Sequence, residues 1–338
     1  MTLRFRAFFL AVASVLYLSA CGETFRPIAN PITSGGGDPQ SQKHAIVVSS
    51  NGPAGDGANI HVNISGDTNA GQVPLGQDPV HAALLASSTV TYVANRALVS
   101  GKPSLTVYST LTQPTATSLP LTVTLPDNSA PIYISGSTVA VYVALSGSNT
   151  VGVLVPGQNT LVNEIPVGTT PVAISGLPNQ TKFYVANQGS NNVSVIKPDN
   201  TVAATIPVGA APSYVVTSDN SARVYVLNRG ANTVSVIDSS TDTVINTVTV
   251  GASPNFAVYD ARNLRVYVTN SGSNTISVIN ADTNSADYLA VTTVTVESAP
   301  VSLTVLADGS RIYVANSGSN SISVLSGLSN AVQSTISL

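Results

Sequence analysis

Residues 223–237 read RVYVLNRGANTVSVI, and most of that string returns at near-constant intervals along the chain. Tyr-Val-x-Asn begins at Tyr92, Tyr184, Tyr225, Tyr267 and Tyr313, with a degraded copy, YVAL, at Tyr142. The Tyr-to-Tyr steps are 50, 42, 41, 42 and 46 residues. A period of roughly 40 to 50 residues marks a stack of small equivalent units. Around the quoted copy, residues 213–217 (SYVVT), 223–228 (RVYVLN), 233–237 (TVSVI) and 244–250 (VINTVTV) are β-branched runs that read as strands. Ser218 to Ser221, Arg229 to Asn232 and Asp238 to Thr241 separate them, each a cluster of turn residues. Four short antiparallel strands make one small twisted sheet. Its strands are apolar on both faces, as in Val224, Tyr225, Val226 and Leu227, so neither face can stand in water.

Sheets stacked face to face around an axis cover one another and leave only a short edge each. The expected fold is therefore all-β, a β-propeller with almost no helix. Seven four-stranded blades of about 45 residues account for residues 22 to 338, and six is the alternative if the N-terminal stretch is irregular. In the seven-blade reading the first blade takes residues 26–33, 45–49, 59–64 and 72–75 as its strands. The chain then ends on an outermost strand, residues 331–338, which predicts closure by blade packing rather than by a mixed terminal blade.

The motif and its surroundings, PVG and Pro before the first strand, then YVAN, then SNTVSVI, resemble the YVTN-family propeller repeat of bacterial surface proteins. Five near-intact copies recur in order, and the resemblance covers nearly all of the chain beyond the leader.

The N-terminus reads as an address. Arg4 and Arg6 precede an apolar run, residues 7–18, that is too short to span a bilayer and has the length of a signal-peptide core. Leu18-Ser19-Ala20-Cys21 resembles the bacterial lipobox. That resemblance implies cleavage after Ala20, a diacylglyceryl group on the Cys21 thiol and an acylated amino group, with palmitate-type chains as the membrane anchor. Cys21 is the only cysteine of 338 residues, and lipidation would remove the liability of a lone secreted thiol. More than one acyl chain gives stable anchoring. Gly22 leans towards the outer membrane. The expected organisation is residues 1–20 as a cleaved leader, 21–25 as lipidated tether, and 26–338 as a single propeller domain in the cell envelope.

Loss of Arg4 and Arg6 leaves 11 basic against 16 acidic residues, a formal −5. With 9% charged residues and no basic excess, nucleic acid is not an expected partner. The expected partners are the membrane, through the acyl chains, and an envelope protein or glycan, for a chain that is itself monomeric.

The repeated side chains read as structure. Asn95, Asn187, Asn228, Asn270 and Asn316 open the turn between second and third strands, and Asn149, Asn191, Asn232, Asn274 and Asn320 close it. Asn caps turn backbone and tolerates positive φ; Gly189, Gly230, Gly272 and Gly318 are expected to take the permissive position. Tyr92, Tyr142, Tyr184, Tyr225, Tyr267 and Tyr313 should pack between blades with their hydroxyls near the rim. Lys182, Arg223, Arg265 and Arg311 precede the Tyr by two residues, with Asp219, Asp260 and Asp308 in the preceding turns, an arrangement expected to give local ion pairs.

No cofactor and no metal site is expected. His44, His61 and His81 lack metal-ligand spacing, and there is no HExxH, nucleophile elbow or phosphate loop. The end bearing inter-blade loops and second-to-third-strand turns is the candidate ligand face, carrying Asp78, His81, Arg96, Asp127, Arg229 and Glu297. Blades two and three deviate most there, at residues 96–103 and 125–131. The reading favours a non-enzymatic binding or scaffold lipoprotein. The alternative is an enzyme resembling propeller lactonases or streptogramin lyases, with Asp78, His81, Asp127 and Glu297 as first suspects.

Overall fold

The computed structural model describes residues 44–49, 56–63, 68–84, 90–97, 101–109, 121–137 and 140–338. The leader, Cys21 and residues 26–33 lie outside them. The described residues fall into two compact units that divide after Ile174.

In the first unit, β1 (His44–Ser49), β2 (Asp56–Asn63) and β3 (Thr68–Gln77) form a three-stranded sheet. They coincide with the second, third and fourth strands expected of the first blade. A four-stranded sheet follows from β4 (Pro79–Leu84), β5 (Val90–Asn95), β6 (Ser104–Ser109) and β7 (Leu121–Thr124). The next comprises β8 (Pro131–Gly136), β9 (Val141–Leu145), β10 (Thr150–Leu154) and β11 (Leu161–Pro166).

Another sheet runs from β12 (Pro171–Gly176), at the division, through β13 (Phe183–Asn187), β14 (Asn192–Ile196) and β15 (Val202–Pro207). The second unit continues with β16 (Pro212–Thr217), β17 (Arg223–Asn228), β18 (Thr233–Asp238) and β19 (Thr243–Thr249). Then come β20 (Pro254–Asp260), β21 (Arg265–Asn270), β22 (Thr275–Asn280) and β23 (Val291–Thr295). Last are β24 (Pro300–Val305), β25 (Arg311–Asn316), β26 (Ser321–Ser326) and β27 (Val332–Ser337). Each sheet is an antiparallel meander, and β27 completes the last sheet from the chain's own C-terminal end.

Burial follows strand order. The second and third strands are sealed: Val224 to Asn228 on β17 and Val234 to Ile237 on β18 are all buried. This is why their runs are apolar on both faces. The outermost strands are wet, with five of the six residues of β27 exposed. The first strands begin on Pro, which has no N–H to give the ladder. The register slips there, as between Pro212 and Tyr214 and between Pro254 and Phe256.

Neighbouring sheets within a unit share their core. In the first unit, Ala83, Tyr92 and Leu105 pack in one cluster with Ile134, Val143 and Leu154 of the next sheet. In the second, the rings of Tyr214 and Phe256 meet at 4.8 Å, and those of Tyr225 and Tyr259 stack at 6.3 Å.

Candidate functional site

The first Asn of each pair is not a turn cap. Asn228 is fully buried, and its Nδ2 donates to Thr233 Oγ1 at 3.0 Å and Ser235 Oγ at 2.9 Å on the next strand. Asn95, Asn187, Asn270 and Asn316 repeat this on Thr106, Ser194, Ser277 and Ser323, each at 3.0 Å. Each amide ties the second strand to the third from inside the sheet. The turn conformation belongs to the second Asn. Asn149, Asn191, Asn232, Asn274 and Asn320 all have positive φ, from 46° to 59°. Four of them also reach the loop that leads into the next sheet: Thr170, Ala211, Ser253 and Ala299 each donate a backbone N–H to that Asn's Oδ1 at 2.8 to 2.9 Å.

The glycines correct the sequence expectation. Gly189, Gly230, Gly272 and Gly318 are not at positive φ. Gly230 is small because the chain comes close: an added Cβ would lie 3.1 Å from the Ala210 carbonyl oxygen and 3.2 Å from Ala211 Cβ. At Gly318 it would lie 2.6 Å from Ser298 Oγ. The turn presses on the loop that enters the first strand of its own sheet, and Asn takes the left-handed position because its short polar side chain tolerates it.

On this end of the sheets the candidate ligand residues behave differently from one another. Asp78 is 4% exposed and grips Arg96 in two hydrogen bonds, Nε to Oδ2 at 2.8 Å and Nη2 to Oδ1 at 3.3 Å. His81 is 5% exposed, stacks on Tyr133 at 4.0 Å and accepts the Ile134 N–H on Nδ1 at 3.2 Å. Asp127 is exposed and 3.8 Å from an equally exposed Lys102, a contact worth little. Arg229 and Glu297 are exposed in the second unit. The fold thus brings Asp78 and Arg96 together, turns His81 into an inter-sheet contact and sets Asp127 beside Lys102. Among the described residues no three His, Cys, Asp or Glu side chains gather as a metal ion would need.

At the opposite end, sheets are fastened by a device the sequence reading did not find. Lys182 Nζ donates at 2.7 Å to Asp242 Oδ2 and, at the same distance, to the Ser239 carbonyl in the next sheet. Tyr184 donates its hydroxyl to Asp242 Oδ1, also at 2.7 Å. Arg265 reaches the Gly327 carbonyl and Asn330 Oδ1, both at 2.8 Å, and Tyr92 reaches Asn159 Oδ1 at 2.8 Å. Asn159, Asp242 and Asn330 occupy one equivalent place, the left-handed residue before the fourth strand, with φ of 51°, 55° and 58°. The outer turn of the neighbouring sheet is thus held by both Lys182 and Tyr184 at one junction, by Arg265 at another and by Tyr92 at a third.

This corrects the pairing expected from the sequence. The acid for Lys182 is Asp242, and that for Arg223 is Asp238 in its own sheet at 2.8 Å. Asp260 and Asp308 instead cap their own turns, accepting N–H groups of Arg262 and Ser310. Burial, then Asp242, pushes the Tyr184 hydroxyl far above the usual phenol range. Hydrogen bonds from Ser240 hold the Asp238 carboxyl below its ordinary value. Burial, with Asp219 beside it, lifts Tyr259 to about 12.

No protein-family model matches the chain, and no curated protein matches it by sequence. Solved structures do resemble it. A proposed 6-phosphogluconolactonase from Bacteroides uniformis superposes with a TM-score of 0.67 at 14% identity, covering 88% of this chain and 97% of that one. Virginiamycin B lyase from Staphylococcus aureus gives 0.60 at 13%, covering 77% and 84%. Hydrazine synthase of Kuenenia stuttgartiensis gives 0.63 at 18%, covering 82% and 94%. The fold is a β-propeller. At these identities the likeness is one of fold alone. The Asn of Tyr-Val-x-Asn ties strands within a blade, and Tyr92 and Tyr184 reach the neighbouring blade, so these side chains are engaged in building the propeller.

Proposed function

We propose that this propeller is a lipid-anchored, extracytoplasmic binding or scaffold module of the bacterial envelope. It belongs with the YVTN-repeat proteins and is held, on the outer-membrane side, by acylated Cys21. The observation that carries the reading is how the reactive side chains are used. Asp78 is spent on Arg96, His81 on the Ile134 N–H and the Tyr133 ring, Lys182 and Tyr184 on a latch between sheets, and the first Asn of each pair on ties within a sheet. What the turns of each unit offer at that end is mainly Ser, Ala, Gly and Asn, with exposed charges at Asp127 and Lys102 in the first unit and at Arg229 and Glu297 in the second. Such a surface suits recognition of an envelope protein or glycan. The lipobox-like Leu18 to Cys21 supports the anchor.

A second reading, a propeller enzyme, draws on the neighbours named for lyase and lactonase activities. Crosslinking in envelope fractions, followed by mass spectrometry, decides between them. The binding reading expects one recurrent partner crosslinked near residues 96–103, 127, 229 or 297. No recurrent partner, together with turnover on a lactone and cyclic-depsipeptide panel, would give the protein to the enzymes.

A further inference from the structure

One junction keeps the donors of the latch and lacks its acceptor. Arg223 and Tyr225 stand on β17 in the places that Arg265 and Tyr267 take on β21, and that Tyr184 takes on β13 with Lys182 just before that strand. The outer turn they face, between β22 and β23, is the long connection 281–290. Its left-handed residue is Leu289, at φ 67°, in the place of Asp242 and Asn330. Leucine has no hydrogen-bond acceptor and is a bulky residue in a conformation that favours Asn or Gly. The loop is nonetheless well built, with Leu289 N–H on the Asn280 carbonyl at 2.8 Å and Asn280 Nδ2 on Ser285 Oγ at 3.1 Å. Two polar atoms of residues that act on Tyr225 are sealed from solvent without a partner, Arg223 Nε and the Tyr288 hydroxyl. The Tyr225 hydroxyl shares their electrostatic environment, its proton held on by burial and by Tyr288.

We infer that this junction binds an amide carbonyl presented by another molecule, which takes the place that Asn330 and Asn159 fill in the sister latches. A sealed donor without an acceptor is costly, so an incoming carbonyl gains the bonds that Leu289 cannot make. The ligand is neutral. Arg223 is already matched by Asp238 at 2.8 Å, and Asp219, Asp260 and Asp282 all act on the adjoining Tyr259, so a carboxylate would meet repulsion. Two of the three sister latches use a neutral amide oxygen, and Arg265 adds a peptide carbonyl. Entry is past Tyr288, by lifting the connection 281–290. This site lies at the opposite end from the candidate ligand face and stands independently of the envelope reading.

The test is hydrogen exchange on the purified chain titrated with acetamide and with N-methylacetamide. Ligands of about four or five heavy atoms bind no tighter than roughly micromolar to tens of micromolar, so the titration runs up through the millimolar range. Saturable protection confined to residues 219–228 and 281–290 is expected. Protection by acetamide alone assigns the site to a carboxamide side chain; protection by both assigns it to a peptide backbone. Leu289→Asn, which installs the sister latch, should abolish the effect and raise the melting midpoint. Tyr288→Phe should weaken it several-fold without unfolding the protein. No saturable protection by either probe, or undiminished protection in Leu289→Asn, overturns the inference.

Discussion

Replacing Asn232 separates the two jobs given to the second Asn of the repeat. Its φ is 57°, and its Oδ1 accepts the Ser253 N–H at 2.9 Å, joining the β17–β18 turn to the loop that enters β20. Asn232→Gly keeps the left-handed backbone and loses the hydrogen bond, about 1 kcal/mol, plus roughly 0.5 kcal/mol of chain entropy. Asn232→Ala loses the same bond and adds about 1 to 2 kcal/mol for a left-handed Cβ. Alanine should therefore cost about 2 to 3 kcal/mol and glycine about 1.5, a gap near 1 kcal/mol. Gly230→Ala should also destabilise, but through contact with Ala210 and Ala211 rather than through φ. Equilibrium urea unfolding of the three variants measures this. Equal losses for Asn232→Gly and Asn232→Ala would refute the assignment of the left-handed position to Asn.

Three further outcomes follow from the same geometry. Asp242→Ala removes the acceptor of Lys182 and Tyr184 at once and should cost about 3 kcal/mol. Tyr184→Phe should cost about 1.5, and a double-mutant cycle should find the pair strongly non-additive; additive losses would dissolve the latch. Arg96→Met leaves Asp78 buried without its partner and should cost about 3 kcal/mol, whereas Lys102→Met should be silent in a melt. The hydroxyls of Tyr92, Tyr142, Tyr184, Tyr225 and Tyr267 are all raised by burial, so the folded state holds protons that the unfolded chain releases. Stability is then fully present below pH ~10 and falls above it by up to about 1.4 kcal/mol per pH unit for each Tyr, so tyrosinate absorbance should rise together with unfolding. Smooth ionisation of all tyrosines near pH 10 with the fold intact would contradict it.

The fold was legible because each blade solves the same burial problem with the same residues. Val224 to Leu227 and Val234 to Ile237 announce two sealed strands by being apolar throughout, and the turn clusters mark their ends. The roles of the Asn pair were legible only in part. That Asn and Gly make a turn is local information. Which of them holds positive φ depends on how closely Ala210 approaches Gly230, which is set by the loop entering β16, some 20 residues earlier in the chain. Likewise, Asn228 reaches Ser235 only because the third strand folds back over it. The latches join residues 57 to 67 positions apart, such as Lys182 with Ser239 and Tyr92 with Asn159, and no spacing rule on one sequence points to them. The connection 281–290 did leave a trace: the Tyr267-to-Tyr313 step is 46 where the three before it are 41 or 42. The sequence reading looked for divergence in blades two and three and passed over that longer step. The pairing of Asp78 with Arg96 needed the tertiary fold, because nothing in a separation of 18 residues says that two loops meet.

The central claim is a propeller tethered to the envelope through Cys21, and the N-terminal peptide of the protein purified from membranes tests it most directly. Mass spectrometry should find a chain that begins at Cys21, with a diacylglyceryl group on the thiol and an acyl group on the amine. A free Cys21 thiol, or a mature chain that begins beyond it, would contradict the account.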